Sequence, residues 1–341
     1  MSEEKSLEDI EVLINQVVTA DTESLSQLAQ IAGLNLSQDF TNADLRDVNL
    51  QGADLICANL KGVNLLRANL RGANVIRANL EDSMLIRANL SRANLSLSNF
   101  HRADFSEAYL NLADLNKANL SKCKLGDVDL INAYLKQTNL SNAQLIRANL
   151  TNAYLGGVNC NYADLSFANL TNANLQGADL TNANLSEANL SQANLSGANL
   201  QDANMTNTNL SYANLRNSQV NQGTNISAKW YRVWAILNQG ASKQDLNAAD
   251  LSSADLASTD FSFAQLSRAN LASANLSLAN LFKANLQGAN LRYAQLWKTN
   301  LTDANLADAK VEKSIFGENL GITPELKQKL LQKGAIFRDS Q

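Results

Sequence analysis

Few residues of this chain have side chains that could carry out catalysis or hold a metal ion. Its 341 residues include three cysteines, Cys57, Cys123 and Cys160, and one histidine, His101. The cysteines form no Cys-x-x-Cys pair, and a single histidine excludes nearly all histidine-based zinc sites and catalytic triads. We therefore expect reduced thiols that pack as small hydrophobic groups, no metal, no cofactor and no enzymatic activity.

The most frequent polar side chain, asparagine, belongs to a five-residue repeat. The stretch TNANLQGADLTNANL at 171–185 repeats a phrase whose central residue, termed i, is usually leucine. Centres fall at every fifth position from Phe40 to Val220 and again, one residue out of phase, from Leu246 to Phe316, and 42 of these 52 centres are leucine. Position i−2 is small throughout, except for the glutamines that precede the first centre of each block, Gln38 and Gln244.

A five-residue period fits neither an α-helix nor a straight strand. At about 100° per residue, successive leucines would move about 140° around a helix axis and share no buried face. In a straight strand, successive leucines would point to opposite sides. The chain must therefore bend once per phrase, so that i−2 and i face a common interior while i−1, i+1 and i+2 face water. Stacked coils of this kind would satisfy one another's backbone hydrogen bonds, but the spacing alone leaves the number of corners open.

Phrases such as ANLSE, ADLTN and ANLQG, of the form A(D/N)LXX, resemble those of the pentapeptide-repeat family. The resemblance covers most of the chain, and the segment KWYRVW at 229–234 is similar to inserts found in cyanobacterial members. It implies an all-β solenoid, a right-handed quadrilateral β-helix with four phrases per coil. Residues twenty apart would then be vertical neighbours, in about nine coils followed by about four.

The repeat is interrupted at three places, which divide the chain into five segments. Apolar residues at helical spacing before the first centre, and the sequence TPELKQKLLQKG after the last, predict helices that close the two ends of the solenoid. Partner docking by the acidic N-terminal helices is the alternative. The predicted segments are an N-terminal helical cap at 1–37, a first β-helix block at 38–220, a helical insert at 221–243, a second block at 244–317 and a C-terminal helical cap at 318–341.

The insert carries two of the three tryptophans. Ser227 can cap a helix that ends at Gly240, and Trp230, Val233, Trp234 and Leu237 would share one face of it. Either both indoles pack against the rod or one of them is exposed and binds a partner.

The outward positions of the first block predict a charge ladder and a candidate contact surface. With coils of twenty residues, opposite charges meet at Asp47/Arg67, Arg87/Glu107 and Asp127/Arg147, and Arg147 lies over Phe167. Apolar outward residues are interleaved with arginines that include Arg71 and Arg92. The candidate partner-binding residues are Ile56, Leu66, Arg67, Ile76, Arg77, Ile86, Arg87, Arg102, Tyr134, Tyr154, Trp230 and Trp234.

These features favour a non-catalytic rod that binds a partner protein. One group in the resembled family looks like B-form DNA and binds DNA gyrase, and DNA mimicry is the alternative function; a purely architectural role also stays open. Mimicry requires a continuous negative field, whereas residues 46–149 hold thirteen bases and nine acids, and 150–228 only five charges. Nucleic acid is not an expected partner either, because acids interrupt the basic residues. The sequence shows neither a secretory signal nor an apolar run near the roughly 18 residues of a membrane span, so we expect a cytoplasmic protein.

Overall fold

The computed structural model describes residues 40–338. The N-terminal helices expected within 1–37 lie outside the described residues. From Phe40 onward, nearly every five-residue phrase contributes one turn and one short parallel bridge to the coil above or below. No helix of the described part is long and apolar enough to cross a membrane.

Bridges between residues twenty apart define the coils. Asn59 pairs with Asn79, and Asn79 in turn pairs with Asn99, all in parallel register. Twenty residues hold four phrases, so each coil has four sides. We number the sides of the first block by their centres: side 1 contains Leu45 and every twentieth residue after it, side 2 Leu50, side 3 Leu55 and side 4 Leu60. The outward i+1 and i+2 residues that follow a side form the corner of the same number.

Position in the phrase decides burial. Leu175 and Leu195 are 1% and 0% exposed, and the alanines two residues before them are equally buried. Phe100 and Phe105 fill the interior of neighbouring sides and meet edge to face, with 5.1 Å between ring centroids. Alternation of side chains within each phrase therefore builds one continuous apolar core along the rod.

Every corner uses a tight turn with a left-handed residue. The amide of Ala43 donates to the carbonyl of Phe40, and Asn42, at i+2, has φ 58°. This is the pattern of a type II turn, whose third residue has positive φ. Seven of the i+2 positions carry glycine, among them Gly52 and Gly72, and these glycines are the sequence signal that marks the corner.

A ladder of asparagine amides runs up the outside of the coils. On side 4, Asn99 Nδ2 donates to Asn79 Oδ1 over 3.1 Å, and Asn119 Nδ2 donates to Asn99 Oδ1 over 2.9 Å. The same Oδ1 atoms accept from the backbone amide two residues later, as at His101. Asparagine suits position i−1 because it offers both a donor and an acceptor.

The amide ladder of the second block begins with residues that can only accept hydrogen bonds. Its first complete coil has aspartate at all four i−1 positions, and no coil of that block precedes it. Three of these carboxylates accept from the asparagine amide one coil above, over 2.9–3.0 Å. A carboxylate suits this end of the ladder because it has no amide to donate. The four aspartates are Asp245, Asp250, Asp255 and Asp260.

The ladder of bridges stops between the two blocks. The last bridge of the first block joins Asn204 to Asn225, five residues beyond Val220, and Ile226 there is half-buried against the core. In the second block the coil already includes Ala241, which is buried, and the Lys243 amide donates to the Ser262 carbonyl. The regular coil therefore extends a few residues into both ends of the segment 221–243.

Helix α1, Ala228–Gln239, occupies the junction. Ser227 is its N-cap residue but makes no side-chain capping bond, and Gly240 follows its end with φ 93°. The helix bonds to the first block, where Asn238 Nδ2 donates to the Leu215 carbonyl over 3.1 Å. It also bonds to the second, where Lys229 Nζ donates to Ser252 Oγ over 2.9 Å.

The C-terminal end consists of three short parallel strands and a helix. Strands β1, Gln295–Trp297, β2, Ile315–Gly317, and β3, Ile336–Phe337, form one sheet in the order β1–β2–β3. Helix α2, Pro324–Gln332, lies between β2 and β3 in sequence, and the Oγ1 atom of its N-cap residue Thr323 accepts from the Leu326 amide. Leu330 is the buried residue of α2, and Leu326 packs partly against the core.

Candidate interaction surface

Corner 1 carries the predicted charge ladder. Arg67 bonds to Asp47 through both Nε and Nη2, at 2.6 and 2.7 Å. Arg147 contacts Asp127, one coil below it, in the same way, at 2.7 and 2.6 Å, whereas Arg87 contacts Glu107, one coil above it, through Nε alone, at 2.8 Å. The side-chain hydrogen bonds from Arg67 and Arg147 lower the pKa values of Asp47 and Asp127. The three predicted ion pairs are therefore confirmed.

The predicted contact of Arg147 with Phe167 is wrong. Cation–π contacts within residues 40–338 involve lysines, and none of them joins Arg147 to Phe167. Arg147 instead bonds to Asp127 one coil below, because a bidentate contact with a carboxylate is stronger than a cation–π contact with an exposed ring. Phe167 is left 60% exposed.

The candidate residues on the first block do not form one surface. Leu66, Arg67, Ile86 and Arg87 lie at corner 1, and Arg102 lies at corner 4, where it pairs with Asp82. Ile56, Ile76 and Arg77 lie at corner 3, while Tyr134 and Tyr154 lie in the middle of side 3. Residues ten apart are half a coil apart, so corners 1 and 3 are diagonally opposite. Leu66, Ile76 and Ile86 are only half-buried, not fully exposed.

The tryptophans of the insert are not surface residues, which corrects their inclusion among the candidate binding residues. Trp230 and Trp234 are 7% and 8% exposed, and Trp234 Nε1 donates to the Ser218 carbonyl over 3.0 Å. The interrupted coil leaves the Ser218 carbonyl without the backbone amide of a further coil, and α1 supplies a donor to it. Ile236 is buried on this helix, whereas Leu237 is half-buried.

Side 3 is bordered by cations that have no ion-pair partner. Of the thirteen lysines and arginines in 46–149, seven form ion pairs with carboxylates of residues 40–338. Six form none within the described residues, and five of these six lie at the two corners that border side 3. Lys122, at corner 4, is the sixth. The five are Arg71 and Arg92 at corner 2, and Arg77, Lys117 and Lys136 at corner 3.

Exposed apolar groups accompany these cations. Tyr134 and Tyr154 stand in the middle column of side 3, 42% and 48% exposed. Their rings are stacked, with 4.9 Å between centroids and 5° between planes. Leu97 at corner 3 and Leu112 at corner 2 are also exposed. Side 3 thus combines positive charge with an apolar stretch, as protein-contact surfaces do.

The middle column of side 3 is incompletely bonded. On side 4, the asparagines from Asn59 to Asn139 donate to one another without a break. On side 3, the amide nitrogens of Asn74 and Asn94 make no hydrogen bond within residues 40–338, and the buried Oδ1 atom of Asn74 has no partner there either. These NH₂ groups add donors to the unpaired cations.

The reactive side chains do not converge. His101 Nδ1 lies 2.8 Å from Ser121 Oγ at corner 4. Cys123 and Cys160 are buried, and burial raises the pKa of each thiol to about 12. Cys57 is exposed at corner 3, so the expectation that the thiols pack as small hydrophobic groups is wrong for this one. In residues 40–338 no group of three or more histidine, cysteine, aspartate or glutamate side chains is placed to hold a metal ion.

Sequence reasoning missed Lys117, Lys136, Leu97 and Leu112, and it did not separate paired from unpaired arginines. The residue numbers distinguish paired from unpaired cations once the coil length is known. Once residues are sorted by their remainder after division by twenty, each cation falls on one corner or side, and an acid one coil away identifies every paired cation except Arg46, which pairs with Asp44 two residues before it. The sorting requires the coil length, which the five-residue phrase does not supply.

Comparison with known proteins agrees with this architecture. A family model of pentapeptide repeats matches residues 39–72, 64–102, 73–111, 123–159, 148–186, 183–222, 245–281 and 279–317. No curated protein matches the sequence significantly.

Several solved structures are similar to this chain. HetL, a pentapeptide repeat protein involved in heterocyst differentiation regulation from the cyanobacterium Nostoc sp. strain PCC 7120, is 27% identical, with 86% of this chain and 98% of HetL covered and a TM-score of 0.27. The pentapeptide repeat protein alr5209 from Nostoc PCC 7120 is 32% identical over 33% of this chain and 95% of its own, with a TM-score of 0.22. Trypsin-treated QnrB1, a plasmid-mediated fluoroquinolone resistance protein, is 19% identical over 55% of this chain and 88% of its own, with a TM-score of 0.35.

Proposed function

Because this chain belongs to the pentapeptide-repeat family, we propose that it is a non-catalytic scaffold that binds a partner protein along side 3 of its first block. The observation that carries the proposal is the sorting of charges around the rod. Within 46–149, cations at corner 1 are neutralised by acids, those at the i+2 positions by acids of the same column, whereas the cations at corners 2 and 3 are not. Charges that already pair within the chain contribute less to the binding of a partner than unpaired charges do.

Burial of the tyrosine stack would supply the apolar part of the interface. Tyrosine contributes a large, rigid contact area and is enriched at the centres of protein interfaces. The remaining candidates, Leu66, Arg67, Ile86 and Arg87, lie on the opposite corner, and Arg102 lies one corner further on. We assign them to the stabilisation of the coil.

DNA mimicry is the alternative function, and the charge distribution disfavours it. A mimic of B-form DNA needs negative charge along its length. Here the carboxylates of corner 1 within 46–149, Asp47, Glu107 and Asp127, are each bonded to an arginine, and residues 46–149 hold an excess of four positive charges. A gyrase supercoiling assay with and without the protein tests this alternative, and inhibition at micromolar protein would support it.

The proposal extends to the arrangement of the rod. We propose that the coil is right-handed. We also propose that the chain divides into two β-helix blocks, a helical insert and two end segments. We infer that α2 acts as a lid, since a bare last coil would expose leucines and unpaired strand edges. Cytoplasmic localisation is part of the same proposal.

Co-purification from native cells with two matched variants tests the binding surface. The side-3 variant carries Arg71→Gln, Arg77→Gln and Arg92→Gln; the corner-1 variant carries Arg67→Gln, Arg87→Gln and Arg147→Gln. Each loses three positive charges, so the total charge is the same. We expect a partner that is retained by wild type and by the corner-1 variant and lost from the side-3 variant. The same partners on all three proteins, or none on wild type, would refute the proposal.

A further inference from the structure

The unsatisfied groups on side 3 are predominantly donors and cations, and Asn74 Oδ1 is the buried acceptor among them that has no partner in the described part of the chain. Within residues 40–338, Arg71, Arg77 and Arg92 have no carboxylate partner, and the same holds for Lys117 and Lys136. The amide nitrogens of Asn74 and Asn94 add neutral donors. The carboxylates of this column, Asp54 and Asp114, each already accept a backbone amide, from Ile56 and Asn116. A ligand complementary to side 3 is therefore rich in hydrogen-bond acceptors and negative charge.

These groups are ordered along the rod. The three arginines lie in the lower coils, Lys117 comes next, Lys136 lies level with Tyr134, and Tyr154 stands one coil higher. Beyond Tyr154, the middle column continues with Asn174, and residues 171–200 carry only Asp179 and Glu187 as charged groups. A ligand must therefore be acidic where it meets the arginines and apolar where it meets Tyr134 and Tyr154.

We propose that side 3 binds an acidic, extended segment of a partner polypeptide, whose carboxylates contact Arg71, Arg77 and Arg92 and whose apolar end covers the Tyr134–Tyr154 stack. This inference rests on the proposed function and names the chemistry of the partner. Arg71 and Tyr154 are four coils apart, about 20 Å at the usual strand spacing. An extended segment of about six residues spans that distance.

A polypeptide fits the surface better than a single-stranded nucleic acid does. Stacking of bases requires free aromatic faces, but Tyr134 and Tyr154 turn their faces toward each other, so that ring edges point outward. Asp54 and Asp114 stand in the same column as the tyrosines and would repel a continuous line of phosphates. A segment with spaced carboxylates can avoid these two positions.

A binding assay with defined probes tests the inference. The main probe is a fluorescein-labelled peptide of four glutamates followed by leucine and tryptophan. One comparison peptide ends in two serines, another has lysines in place of the glutamates, and a 20-nucleotide single-stranded DNA serves as the polyanion. Fluorescence anisotropy measures binding to the full chain at about 50 mM and about 300 mM sodium chloride, since salt at the higher concentration screens exposed charge contacts.

We expect the glutamate–leucine–tryptophan peptide to bind most tightly and to lose at least about tenfold in affinity at the higher salt concentration. The side-3 variant should weaken it about tenfold or more, whereas the corner-1 variant should stay within about twofold of wild type. Replacement of both tyrosines, Tyr134→Ala with Tyr154→Ala, should weaken this peptide but not the serine-ended one. The control pair Tyr162→Ala with Phe167→Ala, which is more exposed than the tyrosine stack and lies at corners 4 and 1, should change neither.

Four results would overturn the inference: no peptide binding, equal loss in both arginine variants, insensitivity to the tyrosine pair, or tighter binding of the DNA. Failure of the inference differs from failure of the proposed function. If a co-purified partner depends on side 3 but any of these four results is obtained, the proposed scaffold function stands and the inference of an acidic ligand fails.

Discussion

Tyr134 and Tyr154 lie one coil apart on side 3 with their rings parallel, 4.9 Å between centroids. Both occupy position i−1, so the separation of their backbones is the spacing of adjacent coils, about 4.8 Å. This spacing brings the rings to stacking distance without any distortion of the coil. The solenoid thus turns two tyrosines that are twenty residues apart in sequence into one exposed aromatic unit.

A double-mutant cycle on these tyrosines should show coupling. We expect Tyr134→Ala and Tyr154→Ala to be non-additive by about 0.5–1 kcal/mol, since an aromatic pair contributes about that much beyond buried area. Denaturant unfolding of wild type, both single variants and the double variant measures it. Tyr162 and Phe167 lie at different corners, so a cycle on Tyr162→Ala and Phe167→Ala should be additive. Equal coupling in both cycles would contradict the assignment.

Substitution of a centre should destabilise the rod far more than substitution of its neighbour. Leu135 is fully buried, and Leu135→Ala should cost about 3 kcal/mol because it removes apolar contact and leaves a cavity. Lys136→Ala, one residue later at an exposed corner, should change stability by less than about 0.5 kcal/mol. Urea unfolding followed by circular dichroism provides both values. Similar losses for the two variants would mean that the repeat has been assigned the wrong phase.

The amide ladder should distinguish asparagine from aspartate by position. Asn119 donates to Asn99 and accepts from Asn139, so Asn119→Asp removes a donor and should cost about 1 kcal/mol. Asp260 only accepts, from the Ser262 amide and from Asn280 Nδ2. The reciprocal change Asp260→Asn keeps that acceptor and should shift stability by less than about 0.5 kcal/mol. Thermal unfolding compares the two, and a reversed order would rule out the proposed role of the ladder.

One thiol per folded chain should react with Ellman's reagent. Burial raises the pKa values of Cys123 and Cys160 to about 12, so neither forms thiolate near pH 8, whereas Cys57 is exposed. The reactive species is the thiolate. Cys57→Ser should abolish the reaction in the folded protein, and urea should release three thiols in wild type. A second fast-reacting thiol in the native protein would show that the coil opens, at Cys123 on side 1 or at Cys160 on side 4.

The ion pairs of corner 1 should contribute to stability in a pH-dependent way. Hydrogen bonds from Arg67 and Arg147 lower the pKa values of Asp47 and Asp127 in the folded state. Their contribution is therefore complete above the ordinary aspartate pKa of about 3.9 and is lost as pH falls through the lowered folded values. The melting temperature of Asp47→Asn with Asp127→Asn should lie below that of wild type at pH 6. The gap should close with falling pH.

A second variant checks the cause of this pH dependence. Arg67→Gln with Arg147→Gln removes the donors in place of the acceptors, so its gap to wild type should close over the same pH range. Scanning calorimetry at several pH values gives both curves. A gap that widens on acidification would contradict the direction of the pKa shifts.

Several features were predictable from the sequence because they depend on local geometry. Alternation within a phrase is enough to send Leu175 and Ala173 inward and Asn174 outward, and no distant residue is needed to decide it. The helix within the insert follows from its apolar spacing in the same way. Pairs such as Asp47 and Arg67 became predictable only after the family resemblance supplied a coil of four phrases.

The sequence by itself determined which side of the backbone each residue of a phrase occupies, because this depends on neighbouring dihedral angles alone. Only the tertiary structure decided which outward residues meet, since that depends on how many corners close a coil and on where a side chain finds its partner. It separated Arg67 from Arg77, paired Arg147 with Asp127 in place of Phe167, and placed Trp234 in the gap where the ladder of bridges is interrupted. The physical reason is that contacts between coils are long-range, and their energies are settled only once the whole rod is closed.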